Sequence, residues 1–217
     1  MILHHIENEN SVLNQFIAEI RDKNEQKDSL RFRRNIERIG EILGYELSKK
    51  LQYNGVSVQT PLGEKTIQLP QNDLVLCSIL RAGLPLHQGL LNYFDKAENA
   101  FISAYRKHAK NSNDFEIVVE YFASPSVDKK TLILADPMLA TGQSLVAVYE
   151  AIKKYGQPKE VHIVSVIGAL AGIEFVQNHF PKNTHLWIAA IDDKLNEKGY
   201  IIPGLGDAGD LAFGEKL

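Results

Sequence analysis

The sequence has few of the residue types that build disulfide-linked, metal-caged or membrane-spanning proteins. It contains one cysteine, Cys77, so no disulfide can form within the chain and a four-thiolate zinc site lacks its ligands. No apolar run is long enough to cross a bilayer, and the first residues lack the basic-then-apolar order of a signal peptide. We therefore expect a cytoplasmic protein that has no membrane partner.

An excess of positive charge is missing as well. The formal net charge is −3, with lysine and arginine mixed among aspartate and glutamate, so we expect no nucleic-acid partner. A small polyanionic substrate stays compatible with this charge, since a few arginines, backbone amides or Mg²⁺ can bind it. The 217 residues, 44% hydrophobic and 24% charged, suit one globular domain without repeats or low-complexity linkers.

The first part of the chain has the periodicity of helices. After Ser11, a candidate N-cap, apolar residues recur at helical spacing as far as Ile20. A second, longer helix is predicted from about Leu30 to Leu51.

From Asp73 onward, short apolar runs alternate with helical stretches. The runs begin at Leu74, Ala100, Thr131, Val161 and His185, and the helices are predicted at Leu84–Tyr93, Gly142–Tyr155 and Leu170–His179. This alternation predicts an α/β fold whose parallel sheet is covered by helices on both faces. The segment from Phe115 to Phe122 suits a strand of a projecting hairpin, and the glycine-rich tail from Gly199 is predicted to be irregular.

One loop has the physical features of a phosphate site. It follows a predicted buried strand and leads into an amphipathic helix, and its residues are Asp136, Pro137, Met138, Leu139, Ala140, Thr141, Gly142, Gln143 and Ser144. Unpaired amides, hydroxyl groups and the helix dipole at such a turn favour an anion. A lone Thr-Gly-X-Ser more often only caps a helix, but the preceding strand and acid favour the phosphate interpretation. The loop has neither a P-loop lysine nor a dinucleotide-binding G-x-G-x-x-G.

At this loop the sequence resembles the phosphoribosyl pyrophosphate signature of type I phosphoribosyltransferases. Its Asp-Pro-Met-Leu-Ala-Thr-Gly form is similar to that of the uracil phosphoribosyltransferase family, in which proline replaces the usual second acid. Ile79–Pro85 resembles that family's first catalytic-site loop, and Tyr200–Asp210 resembles its C-terminal uracil-binding segment. Thr60–Gly63 and Phe32–Arg34 match weaker blocks.

The resemblance implies roles for individual residues. It implies catalytic roles for Arg81, Asp136 and Asp207, and pyrophosphate or sugar-phosphate binding by these three, Arg106 and the loop from Asp136 to Ser144. It implies uracil binding by Ile201, Gly206, Asp207 and Ala208. Apart from any resemblance, Arg81 directly follows a buried strand, where its guanidinium could fork onto pyrophosphate oxygens.

The resemblance also implies the reaction and its partners. Uracil and 5-phosphoribosyl 1-pyrophosphate would give UMP and pyrophosphate, with Mg²⁺ carried by the pyrophosphate rather than by a protein cage. It implies one domain over residues 1–217, with residues 1–60 and 195–217 forming a small hood, and at least a homodimer. The sequence leaves open whether GTP acts as an effector.

Four residues depart from the family pattern and keep alternatives open. Lys107 and His108 replace acids after Arg106, Gln143 replaces a glycine, and Leu211 replaces an arginine. These changes motivate a catalytically weak nucleotide-binding homologue as one alternative. A pyrimidine-responsive RNA-binding regulator on the same fold is another, and a purine-specific enzyme is a third that the uracil-type tail opposes.

Several residues whose side chains could take part in chemistry are better explained as structural. Cys77, His162, His185 and Trp187 lie in or at apolar runs, which is typical of core residues, and no spacing supports a zinc site.

Overall fold

A computed structural model describes residues 1–71, 73–108 and 115–216, with the backbone alone described for residues 104–108 and 115–119. The strands are β1 (Ile2–His5), β2 (Tyr53–Thr60), β3 (Gly63–Pro70), β4 (Leu74–Leu80), β5 (Glu98–His108), β6 (Phe115–Ala123), β7 (Thr131–Ala135), β8 (Met138–Leu139), β9 (Glu160–Ala169), β10 (His185–Asp192), β11 (Lys194–Leu195) and β12 (Ile201–Ile202). The α-helices are α1 (Leu13–Arg21), α2 (Ser29–Ser48), α3 (Leu84–Leu91), α4 (Gln143–Ile152), α5 (Leu170–His179) and α6 (Ala208–Phe213).

The main sheet has the order β1-β10-β9-β7-β4-β5-β6, and β8 pairs with β9 beside it. Every pairing is parallel except that of the edge strand β6, which runs antiparallel to β5. Parallel strands need crossover connections, and α3, α4 and α5 supply them. The predicted α/β fold with a mostly parallel sheet is therefore confirmed.

Both faces of the sheet are buried because side chains alternate along each strand. In β4, Leu74 and Leu76 join one core with α1, α2, α3 and α6, whereas Val75, Cys77 and Ile79 join a second core with α4 and α5. This double burial explains why the central strands are almost continuously apolar in sequence.

The α-helices α2 and α6 each begin at an aspartate whose side chain caps free backbone amides. Asp28 caps α2, its side chain accepting a hydrogen bond from Arg31 N at 3.0 Å. Ser11 accepts from Leu13 N at 3.2 Å, although α1 itself begins at Leu13. Within the described part of the chain, none of the helices is long and apolar enough to cross a membrane.

Several elements of the structure were absent from the sequence prediction. β1 extends the sheet beside β10, and β2 and β3 form a separate antiparallel hairpin. The prediction of an irregular tail was wrong in part, since α6 forms there with Asp207 as its N-cap. The capping carboxylate offsets the low helix propensity of glycine in this segment.

Candidate functional site

The predicted site residues lie where the carboxyl ends of adjacent strands meet. β4 and β7 are direct neighbours, so the loops that follow them share one edge of the sheet. The two loops also touch, because a Cβ atom at Gly83 would stand 3.2 Å from the carbonyl oxygen of Ala135 and 2.6 Å from that of Ile79. The Gly83 backbone can approach both strand ends only because it carries no side chain.

The loop after β7 is held by its own backbone and by β9. Asp136 Oδ1 accepts a hydrogen bond from Met138 N at 3.2 Å, and the Pro137 carbonyl accepts from the amides of Val166 and Ile167 at 3.2 and 3.0 Å. The helix that follows begins with Gly142 as N-cap, at φ +77° and without a side-chain cap. The first amides of a helix have no intrahelical acceptor, so this arrangement suits an anion.

A second glycine, in the neighbouring helix α5, packs against this loop and limits where the loop can lie. A Cβ atom at Gly172, in the first turn of α5, would stand 2.2 Å from the Ala140 carbonyl oxygen. One at Gly142 would stand 2.9 Å from the Gly172 carbonyl oxygen. Sequence reasoning missed Gly172, since nothing local indicates that two glycines 30 positions apart in chain order pack against each other.

Arg81 joins the loop after β4 to the C-terminal tail. Its Nη2 donates to Asp210 Oδ1 at 2.7 Å and to the Gly214 carbonyl, and its side chain crosses the backbone of Gly209. Its Nε lies buried without a hydrogen-bond partner. About a third of the Arg81 side chain is exposed, so the guanidinium keeps donors that a ligand can reach.

Asp207 organises the tail as the N-cap of α6. Its Oδ1 accepts from Gly209 N at 2.8 Å and from Asp210 N at 3.0 Å, and its Oδ2 lies 3.3 Å from Lys216 Nζ. Ile201 and Ala208 are buried, so their side chains pack in the core. Gly206, at φ +97°, turns the chain between them.

Other sequence-predicted residues lie in different surroundings. The side chains of Arg106, Lys107 and His108 lie outside the described residues, although their backbone continues β5. The Thr60–Gly63 block forms the turn of the β2–β3 hairpin. Arg33 reaches the tail, donating to the Ala212 carbonyl at 2.6 Å.

A buried ion pair, missed from the sequence, also holds the tail. Asp192 ends β10, and both of its oxygens accept from Arg21 of α1, at 2.9 and 3.0 Å. Asp192 Oδ2 also accepts from Gly204 N at 3.0 Å.

Of the residues interpreted as structural, Cys77, His162 and Trp187 are buried and His185 is partly buried, all away from the ends of the strands that carry the site. Cys77 lies in the core, where burial raises the pKa of its thiol to about 12. Trp187 donates to His162 Nδ1 at 3.0 Å. The two residues lie near the starts of β10 and β9, whereas the site lies at the carboxyl ends of the strands. Among the described residues, no group of three histidine, cysteine, aspartate or glutamate side chains is arranged to hold a metal ion.

Comparison with known proteins places this geometry in a family. Residues 7–215 match the family model described as uracil phosphoribosyltransferase. A uracil phosphoribosyltransferase from Porphyromonas gingivalis is 54% identical over 98% of both chains. The structure of the AQ2163 protein from Aquifex aeolicus superposes with a TM-score of 0.87 at 29% identity, covering 98% of each chain. A purine phosphoribosyltransferase from Pyrococcus horikoshii shares the fold, with a TM-score of 0.50 at 15% identity over 74% of this chain and 91% of its own. The chain belongs to the uracil phosphoribosyltransferase family.

Proposed function

We propose that this protein transfers a phosphoribosyl group from 5-phosphoribosyl 1-pyrophosphate to N1 of uracil. The bond between C1′ and the pyrophosphate oxygen breaks, pyrophosphate leaves, the N1–C1′ bond forms, and N1 loses its proton. The observation that carries the proposal is the meeting of Arg81 with the tail at Asp210, beside the loop that follows β7.

The loop from Asp136 to Ser144 would hold the 5-phosphate of the substrate. Gly142 opens α4 without a side chain, which leaves the first amides of the helix accessible to phosphate oxygens. The Asp136 carboxylate lies at the strand end, where it could accept sugar hydroxyl groups or stabilise positive charge on the sugar as the leaving group departs.

Arg81, and Arg106 by resemblance, would bind the leaving pyrophosphate. Arg81 uses Nη2 for the tail, so the two N–H groups of Nη1 remain for the ligand while the tail contact is kept. Two charge-assisted hydrogen bonds to one pyrophosphate would orient it and stabilise the charge it gains.

The tail would recognise the base through its backbone. Uracil has an N–H donor between two carbonyl acceptors, and peptide groups at Ile201, Gly206 and Ala208 can complement that edge. Gly206 adopts a positive φ angle that residues with a Cβ atom rarely adopt, and without a side chain its backbone can approach a planar ligand closely. Asp207 would lie beside the sugar.

Mg²⁺ fits as a substrate-borne ion. Pyrophosphate oxygens and water would provide most of its coordination, because Mg²⁺ prefers these ligands to a cage of protein side chains. Bound there, Mg²⁺ would neutralise phosphate charge, and Asp136 is the one carboxylate within the phosphate loop from Asp136 to Ser144.

An assay of purified protein tests the proposal. The protein is incubated with phosphoribosyl pyrophosphate and Mg²⁺ and with uracil, cytosine, adenine, guanine or hypoxanthine in turn, and nucleotides are separated by chromatography. We expect UMP from uracil and no nucleotide from the purines. Absence of UMP would contradict the proposal. The RNA-binding alternative has no support from the relatives reported above. Adding GTP to the same assay tests it as an effector.

We also propose a single domain, with residues 1–60 and 195–217 as its hood, and a homodimer. The β2–β3 hairpin supports the dimer, because Val56, Leu62, Ile67 and Leu69 expose apolar side chains there. Light scattering should give at least twice the mass of one chain. We propose a cytoplasmic location from the single cysteine and from the lack of a membrane-spanning run or signal-peptide pattern, and imaging of a tagged chain in its cell tests it.

A further inference from the structure

Two residues outside the proposed binding set hold a turn within the proposed uracil-binding segment, Tyr200–Asp210. Arg21, in the last turn of α1, and Asp192, the last residue of β10, form a bidentate ion pair with N–O distances of 2.9 and 3.0 Å. Both also bind Gly204. Asp192 Oδ2 accepts from its N–H at 3.0 Å, and Arg21 Nη1 donates to its C=O at 3.2 Å. The pair therefore fixes both peptide groups that flank one α-carbon.

Gly204 occupies a turn that has little room to adjust. Its φ is +60°, and a Cβ atom there would stand 2.2 Å from the Ile201 carbonyl oxygen. Ile201 precedes it by three residues and Gly206 follows it by two, and both are proposed backbone contacts of uracil. A displacement of Gly204 would therefore move peptide groups on both sides of the base.

The ion pair is shielded enough to act as a fixed point. The Asp192 side chain is 8% exposed and that of Arg21 is 23% exposed. A bidentate guanidinium–carboxylate pair is directional, so it sets orientation as well as distance. Removing one partner from such a pair leaves the other largely buried and uncompensated.

We propose that Arg21 and Asp192 are positioning residues for uracil, acting through Gly204. The inference rests on the proposed function and deepens it. Recognition by backbone groups cannot be corrected by side-chain rotation, so the position of the turn decides how well the base is held. The hood helix α1 thereby affects affinity for the base without touching it.

Kinetics of two variants test this role. Asp192→Asn keeps the shape of the side chain but loses its charge and an acceptor, and Arg21→Lys keeps the charge but loses the planar fork. We expect the KM for uracil to rise roughly tenfold in each, as loss of a charge-assisted hydrogen bond predicts, with the KM for phosphoribosyl pyrophosphate changing less than about twofold. Arg31→Lys is the matched control, since Arg31 pairs with Glu19 between α1 and α2.

Hydrogen exchange gives a second readout that does not depend on turnover. The amide of Gly204 should exchange faster in both variants than in the wild type and the Arg31→Lys control. Equal rises in both KM values, or unchanged exchange at Gly204, would overturn the positioning role. If Asp192→Asn does not fold, Arg21→Lys and its exchange pattern decide the question. A wild-type protein that forms no UMP would instead contradict the proposed function, whereas an active wild type with insensitive variants contradicts the positioning role alone.

Discussion

Replacing Arg81 with alanine should remove the guanidinium group that we propose binds the leaving pyrophosphate. The guanidinium has five N–H donors, and both of its described hydrogen bonds involve Nη2. The two N–H groups of Nη1 can then supply about two charge-assisted bonds to a ligand, because Nε is buried. Because a third of the side chain is exposed, each bond is discounted to about 1.4 kcal/mol, near the low end for charged partners.

Two such bonds correspond to about 2.8 kcal/mol, or roughly a hundredfold loss in kcat/KM for phosphoribosyl pyrophosphate. Steady-state kinetics with saturating uracil measure this loss. Arg34→Ala is the control, because Arg34 is an exposed arginine of α2 that pairs with Glu37. Circular dichroism would show that both variants fold.

The reasoning would be refuted by a loss of less than about fivefold, which is smaller than one bond of this kind. It would also be refuted if the KM for uracil rose while the kinetics with phosphoribosyl pyrophosphate stayed unchanged. In that case Arg81 would serve the tail through Asp210 and Gly214 and not the pyrophosphate.

Three further predictions concern Asp207, Gly172 and His4. Asp207→Asn should keep α6 capped, shifting stability by less than about 1 kcal/mol in urea unfolding, yet lower kcat/KM because the carboxylate charge is lost; full activity would remove Asp207 from the site. Gly172→Ala should push on the Ala140 carbonyl and cost about 1–3 kcal/mol, raising the KM for phosphoribosyl pyrophosphate in the same assays, and a silent variant would contradict the proposed loop packing. The Tm should fall as pH drops from about 6.5 to 4. Burial lowers the folded-state pKa of His4 to about 4, so the unfolded chain takes up protons first in this range; a His4→Gln variant with an unchanged pH profile would refute this prediction.

The sequence alone determined the sheet and the edge where ligands are expected. Strands such as Leu74–Leu80 and Thr131–Ala135 were predicted at their observed bounds because burial on both faces makes them continuously apolar. The Asp136–Ser144 loop was predicted at the end of its strand because its turn residues and hydroxyl groups lie together in sequence.

The β2–β3 hairpin escaped prediction because nearly all of its residues are exposed and lack apolar alternation. Helix α6 escaped because glycine lowers helix propensity, and only the Asp207 cap signalled it.

Tertiary structure decided what holds the tail in place. Arg21 and Asp192 are 171 positions apart, and Arg81 and Asp210 are 129 apart, so neither pair leaves a local pattern. Each pair forms at the carboxyl end of a parallel strand, where Asp192 of β10 meets Arg21 of α1 and Arg81, after β4, meets Asp210 of α6. Residue type and spacing identify groups that could bind a phosphate or a base. Only the packing of distant segments determines which arginine is placed to meet a ligand and which one would fix the turn proposed to hold it.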